Sequence, residues 1–259
     1  MSVPSPWLGE LSYHVEGYCL QFRWDRQEVG EVVRGIALPN FSLTEEPPDV
    51  VYHITGTEEQ LQVKSDGEIK LVSSLDQLPQ NLERTVQLEV ATYAPQAVFV
   101  HSGVVRWRDR LVVVPGKSYS GKSTLTEALC RAGACYYSDE YAIVDSQGLV
   151  RPWPRSLSLR VDQGRDKIGP EELNWRNDFG PTEVALVVST KYSADATWEP
   201  QELSKGQAVM ELLANTVSAQ LEPQRALDFL SRMVERAACL KGERGEAEAT
   251  AKAILARLG

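Results

Sequence analysis

The sequence predicts an α/β fold with a β-rich N-terminal domain, on three observations. Residues 110–133 read in the order strand, glycine-bearing loop, helix. Residues 1–95 carry short alternating segments broken by turn residues. The C-terminal part carries three amphipathic stripes at helical spacing.

Taken in order, Leu11-Ser12-Tyr13-His14-Val15 and Tyr18-Cys19-Leu20-Gln21-Phe22 alternate apolar and polar around Glu16-Gly17, which predicts a hairpin. Val50 to Ile54, Leu61 to Val63 and Ile69 to Val72 repeat the alternation, with Gly56 and Asp66-Gly67 as turn residues. These predict a small, mostly antiparallel layer that selects a substrate or partner. No strong helix signal precedes residue 95, although Leu82 to Tyr93 has helical potential with a mixed period. Pro47-Pro48 and Asp76 to Glu83 read as loops or a short helix, and His14 and His53, each in a strand beside Tyr, read as structural. Pro95 precedes another β run, Ala97 to Val100, so the division is placed there: domains 1–95 and 96–259.

Val104 to Trp107 and Leu111 to Val114 flank Arg108-Asp109 as two arms of a hairpin. The second arm, Arg110 to Val114, is a β-branched run suited to a buried strand. It leads into Gly116-Lys117-Ser118-Tyr119-Ser120-Gly121-Lys122-Ser123, the G-x-x-x-x-G-K-S spacing of a phosphate-binding loop. Two glycines let the backbone wrap around an anion with its N–H groups turned inward. Lys122 then reaches the β- and γ-phosphates, and Ser123 offers a hydroxyl to Mg²⁺. Thr124 continues the segment into a helix whose positive end faces the phosphates. Leu125, Leu129 and Ala132 recur at helical spacing, and Gly133 fits the C′ position.

A strand at Ala134 to Ser138 ends in Asp139-Glu140, and Tyr141 to Val144 continues extended to a turn at 145–148. Arg151 to Arg155 leads into Leu157-Ser158-Leu159-Arg160. The polar, glycine-bearing segment 162–181 reads as a loop over the site, and Val184 to Ser189 as a buried strand. Helices are expected near 205–220, 223–236 and 246–258, on the stripes Val209/Leu212/Leu213, Leu227/Leu230/Val234 and Ala251/Ile254/Leu258.

A net charge of −9 argues against non-specific binding to nucleic acid or an acidic membrane, both of which want a basic face. No apolar run approaches the ~20 residues of a spanning helix, and the N-terminus lacks a signal-peptide pattern, so a cytoplasmic protein is expected. Cys19, Cys130, Cys135 and Cys239 form no C-x-x-C pair and read as reduced, packed thiols. With three histidines in the chain, a Cys/His structural zinc site is not expected.

The adjacent carboxylates narrow the chemistry. In folds of this kind the strand end after the loop's helix faces the nucleotide. One carboxylate can hold Mg²⁺ while the other accepts the proton of an attacking hydroxyl. Burying two such groups without a cation would be costly. His101 lies just before the hairpin; if the hairpin returns beside the loop, its ring can donate to a phosphate oxygen.

His101-Ser102-Gly103-Val104-Val105, the glycine loop and Ser138-Asp139-Glu140 together resemble the catalytic half of the HPr kinase/phosphorylase family, over roughly residues 97–165. The resemblance implies a P-loop kinase core similar to phosphoenolpyruvate carboxykinase, and phosphoryl transfer from a nucleotide to a serine hydroxyl. By it, His101 falls on the family's His before the loop, and Lys122 and Ser123 on its Lys and Ser. Asp139 falls on the catalytic base, Glu140 on an acidic residue associated with the metal, and Arg160 on the Arg of the signature strand. Tyr119 replaces a third glycine, Ser158 a Glu and Val161 a Gly, departures that bear on the phosphorylase direction and on the usual protein substrate. The first 95 residues do not resemble the family's N-terminal domain.

The expected activity is therefore an ATP- and Mg²⁺-dependent kinase acting on a hydroxyl of a protein, a peptide or a small alcohol. His101, Lys122 and Asp139 are its catalytic candidates; residues 116–124 and Arg160 bind the nucleotide; Ser123 and Glu140 hold the metal. A homo-oligomer is compatible with this reading. The rival is a non-catalytic ATP sensor or scaffold, in which nucleotide binding orders residues 162–181. A simple ATPase with water as acceptor is a third option.

Overall fold

The computed structural model describes residues 7–36, 38–57, 59–117, 120–161 and 164–259, without the side chains of Arg160, Val161 and Arg165. The chain divides into two compact units, 1–96 and 97–259. Among the described residues no helix is long and apolar enough to cross a membrane.

The first unit runs β1 (Gly9–Val15), β2 (Tyr18–Trp24), α1 (Gln27–Gly35), β3 (Ser42–Leu43), β4 (Val50–Thr57), β5 (Gln60–Ser65), β6 (Glu68–Val72) and α2 (Leu78–Tyr93). Its six strands form one sheet in the order β3-β1-β2-β4-β5-β6. Glu16 and Gly17 have φ of 49° and 78°, and Asp66 and Gly67 have 41° and 87°. Positive φ at both central residues is the twist that joins antiparallel strands through two residues.

Alternation then sorts the two faces. Tyr13, Phe22, Tyr52 and Ile54 are buried, and the Tyr13 hydroxyl donates to Val33 O on α1. Ser12, His14, Gln21 and Arg23 belong to the opposite, more open face.

The layer is mostly antiparallel, as expected, with one parallel pair, β2 and β4, which have α1 and β3 between them in the chain. One expectation is corrected here. The unit contains two helices. Helix α1 escapes notice because its stripe is short and β-branched, with Gly30 inside it. It forms because Val29 and Val33 bury completely, and Gly30 admits Trp24: a Cβ there would meet the indole Nε1 at 2.6 Å. Tertiary burial outweighs the ~1 kcal/mol that a helical glycine costs.

The second unit runs β7 (Ala97–Trp107), β8 (Arg110–Pro115), α3 (Lys122–Arg131), β9 (Cys135–Ser138), β10 (Tyr141–Asp145), β11 (Val150–Arg151), β12 (Leu157–Val161), β13 (Gly164–Ile168), β14 (Val184–Tyr192), β15 (Gln201–Glu202), α4 (Lys205–Leu213), α5 (Pro223–Val234), β16 (Ala238–Arg244) and α6 (Ala247–Arg257). Eight strands form one mixed sheet, β11-β10-β7-β8-β14-β16-β15, with β9 also on β7. Strands β8, β14 and β16 are mutually parallel, so Pro115, Tyr192 and Arg244 mark one carboxyl edge.

Both faces of this sheet are covered. Leu111 and Val113 of β8 share a core with Val209 and Leu212 of α4 and Leu230 and Val234 of α5. Val112 and Val114 share the other with Leu125 and Leu129 of α3 and Ala251 and Ile254 of α6. The continuous apolar run of β8 is what a strand covered on both faces requires.

Three further expectations change. The run 97–107 is one strand: β7 pairs with β10 up to His101 and with β8 from Ser102 onward. The segment 162–181 is not all loop, since β13 pairs with β12 and a 3₁₀ turn follows at Pro170–Leu173. The expected helix 205–220 ends at Leu213. There the Asn215 amide donates to Glu211 O and the Thr216 hydroxyl to Leu212 O, while residues 215–217 pair instead with β7. Between the last two helices the chain forms β16, a strand that the sequence reading passed over.

Candidate functional site

The candidate site lies at the carboxyl edge of β8, β14 and β16. The first loop glycine is fixed by its amide, which donates to His101 O at 3.1 Å, so the loop begins against β7. A Cβ on Gly116 would meet Ser120 Oγ at 2.5 Å. Gly121 takes φ 80° and ψ 14°, the left-handed region that favours glycine, and a Cβ there would meet Arg244 Nη2 at 2.6 Å. Ser118 and Tyr119 lie outside the described residues.

Helix α3 begins directly after Gly121 with no side-chain cap. Among the described residues its first amides have no side-chain acceptor, which is the condition under which a helix N-terminus receives an anion. Its far end closes as expected: Gly133, at φ 109°, donates to Cys130 O, and Ala134 N donates to Leu129 O. Thr124 and Lys117 are exposed, while Lys122 and Ser123 are half-buried.

The Ser123 hydroxyl donates to Asp139 Oδ2 at 2.6 Å. Asp139 keeps some exposure as a residue, yet its Oδ1 is sealed from solvent and has no donor among the described residues. Burial pushes its pKa up from 3.8 to about 6, against the opposing pull of Lys122 and then of the Ser123 hydroxyl. Thr126 adds a weaker pull in the same direction, its hydroxyl proton being committed to Lys122 O. Gly103 is needed behind this pair, because a Cβ on it would stand 2.0 Å from Thr126 Oγ1.

Glu140 takes a different position. Its side chain is about half exposed, and its Oε1 lies 3.9 Å from His101 Nδ1. The His101 ring packs on Tyr141 at 4.8 Å. Burial lowers the His101 pKa, Glu140 opposes that shift, and Lys122 adds to it. The hairpin thus returns His101 to the loop. Arg160 lies on β12 in the β12–β13 hairpin, and its side chain is outside the description.

Arg244, at the end of β16, was not a candidate from sequence. It is 2% exposed, donates from Nη2 to Gly121 O at 2.8 Å and from Nη1 to Gly245 O at 2.9 Å, and lies 5.4 Å from the Tyr192 ring centroid. Burial pulls its pKa below the ordinary arginine value. The available signal was the apolar run Ala237 to Leu240 between two helices, with Gly242 and Gly245 beyond it. Three buried polar atoms at this edge, Ser120 Oγ, Asp139 Oδ1 and Arg244 Nε, have no hydrogen-bond partner among the described residues. Such atoms are costly unless a ligand or water completes them.

No family model matches the chain, and no curated protein matches its sequence. Among solved structures, the Hpr(Ser) kinase/phosphatase from Coxiella burnetii is similar at 13% identity, over 62% of this chain and 87% of that one, with a TM-score of 0.34. A likeness that distant leaves function to be argued from the site's own geometry.

Proposed function

We propose that the chain transfers the γ-phosphoryl group of ATP to a hydroxyl acceptor, with Mg²⁺ as its metal. The observation that carries this reading is the Ser123–Asp139 contact at 2.6 Å, set at a helix N-terminus beside three buried polar atoms without partners. A helix N-terminus with a nearby buried guanidinium suits anionic phosphate oxygens; a hydroxyl against a carboxylate suits a hard cation. The donor set therefore fits both groups.

In this reading the amides at the start of α3, with Lys122 and Arg244, hold the phosphates and stabilise charge as it develops on them. Ser123 and Glu140 would hold Mg²⁺, which when bound would supply charge neutralisation to the phosphates. Asp139 accepts the hydroxyl proton on its carboxylate. A carboxyl with a pKa of about 6 is mostly ionised at neutral pH and still basic enough to take that proton. His101, steered by Glu140 and packed at a tilt on Tyr141, donates toward a phosphate oxygen. The acceptor is a serine of a protein or peptide, or a small alcohol, chosen by the first unit.

One observation favours a second division of roles. Because Ser123 touches Asp139 and not Glu140, Asp139 is also suited to the metal side, leaving Glu140 beside His101 to take the proton. Incubation with γ-labelled ATP, Mg²⁺ and cell extract tests the activity; label transfer abolished by Lys122→Ala supports it. Nucleotide binding without transfer supports the sensor, and free phosphate alone the ATPase. With an acceptor in hand, Asp139→Asn and Glu140→Gln separate the roles. Loss of a metal ligand is offset by excess Mn²⁺ or Mg²⁺, whereas loss of the base lowers turnover at every metal concentration.

A further inference from the structure

The more open face of the first unit's sheet carries a second cluster of chemistry. In the β1–β2 hairpin His14 stands directly opposite Cys19, so both side chains fall on one face. It is the face opposite Tyr13, whose hydroxyl reaches α1. Across it lies the segment 44–49, anchored at both ends. Thr44 N donates to Ser12 O, Asp49 N donates to Cys19 O, and Asp49 Oδ2 accepts from Cys19 N at 2.8 Å. Between the anchors, Glu46 N donates to Thr44 Oγ1, and Glu46 Oε2 sits 3.4 Å from Cys19 Sγ. One ligand atom each from His14, Cys19 and Glu46 lies within 4.8 Å of the others.

We propose that His14, Cys19 and Glu46 bind one zinc-type ion through imidazole nitrogen, thiolate sulfur and carboxylate oxygen. Thiolate, imidazole and carboxylate are the donors that zinc takes, in sites where a fourth position can stay open to water. Zinc–ligand bonds of about 2.0–2.3 Å arranged tetrahedrally put neighbouring donors ~3.5 Å apart. The sulfur–oxygen pair already stands at that spacing, so closing the site requires movement mainly of the imidazole. A chain with few histidines argues against a Cys/His site only while carboxylates are left out, and Glu46 comes 27 residues after Cys19. The thiol gives its proton to the buffer as the metal–sulfur bond forms. The ion would pin segment 44–49 to the hairpin, with Asp49 bracing Cys19 from behind.

The test uses the full chain and Co²⁺ as a coloured probe. We expect one saturable equivalent with a thiolate-to-cobalt charge-transfer band in the near ultraviolet. Co²⁺ held by Ser123 and a carboxylate at the nucleotide loop would have no thiolate ligand and give no such band. Cys19→Ser should abolish the band and Cys135→Ser should keep it. His14→Ala and Glu46→Gln, substitutions outside the core, should each weaken zinc binding by about tenfold or more against a chromophoric chelator. No saturable binding, a band that survives in Cys19→Ser, or His14→Ala and Glu46→Gln variants that bind zinc as tightly as the wild type would each overturn the proposal.

Discussion

Asp139→Asn should make the metal-free protein more stable at neutral pH, though it removes a carboxylate at the centre of the candidate site. The folded carboxyl holds its proton up to about pH 6, while an unfolded aspartate releases it near 3.8. Through that window the folded state binds more protons, so stability falls as pH rises. A gap of 2.2 pKa units (6 minus 3.8) at 1.36 kcal/mol per unit corresponds to about 3 kcal/mol, lost in full above about pH 7 and almost absent near pH 4. Asparagine carries no charge to desolvate and still offers an oxygen to the Ser123 hydroxyl. The variant's advantage should grow from under ~1 kcal/mol at pH 4 toward about 3 kcal/mol at pH 8. Urea denaturation in EDTA at the two pH values, compared at equal m-value, measures it. An advantage independent of pH, or a variant less stable than wild type at pH 8, would refute the reasoning that burial without a cation dominates at Asp139.

Gly121→Ala places a Cβ 2.6 Å from Arg244 Nη2 at a φ of 80°, and should cost about 1 kcal/mol or more in urea denaturation while weakening nucleotide binding. Arg244→Met removes a buried guanidinium without a carboxylate partner among the described residues. Its urea midpoint should hold or rise while nucleotide affinity, read by calorimetry, falls about tenfold; unchanged affinity counts against a phosphate role. Leu129→Ala, fully buried between α3 and the sheet, should lose about 3 kcal/mol of unfolding free energy.

The parts of the fold that were legible are those in which a local rule and the tertiary context agree. The β8 run, the glycine at φ 80°, helix α3 and Gly133 follow one another as the motif demands, since strand burial, left-handed backbone and helix closure all have local signatures. Glu16-Gly17 and Asp66-Gly67 are hairpin turns for the same reason. The misreadings come where long-range burial decides. Helix α1 depends on Trp24 filling the space over Gly30. Strand β16 ends in Glu243-Arg244, charges that argue locally for a loop, yet it is held between β14 and β15. Strand β7 looks interrupted at His101-Ser102-Gly103. It is continuous because the Ser102 hydroxyl donates to Val100 O and accepts from Ala142 N, and because Gly103 makes room for Thr126. Arg244 was invisible for a related reason: a sequence read residue by residue treats arginine as surface, and only the parallel register of β14 and β16 brings it under Gly121.

That limit bears most directly on the adjacent carboxylates. As two letters, Asp139 and Glu140 are interchangeable, and the motif offers no way to divide metal binding from proton transfer between them. In the fold the chain bends just past β9, and the two side chains meet different neighbours. Asp139 turns to Ser123 and Thr126 on α3, where its Oδ1 is sealed off; Glu140 turns to His101 and stays about half exposed. Environment therefore sets the two carboxylates apart: burial pushes the Asp139 pKa up to about 6, while Glu140 keeps contact with solvent and with His101. The distinction predicts unequal outcomes. Asp139→Asn should remove the stability loss between about pH 4 and pH 7, whereas Glu140→Gln alters a half-exposed side chain and should change the unfolding free energy at pH 8 by under ~0.5 kcal/mol. If the two substitutions changed stability at pH 8 by the same amount, the carboxylates would share one environment, and no division of roles could be drawn from the fold.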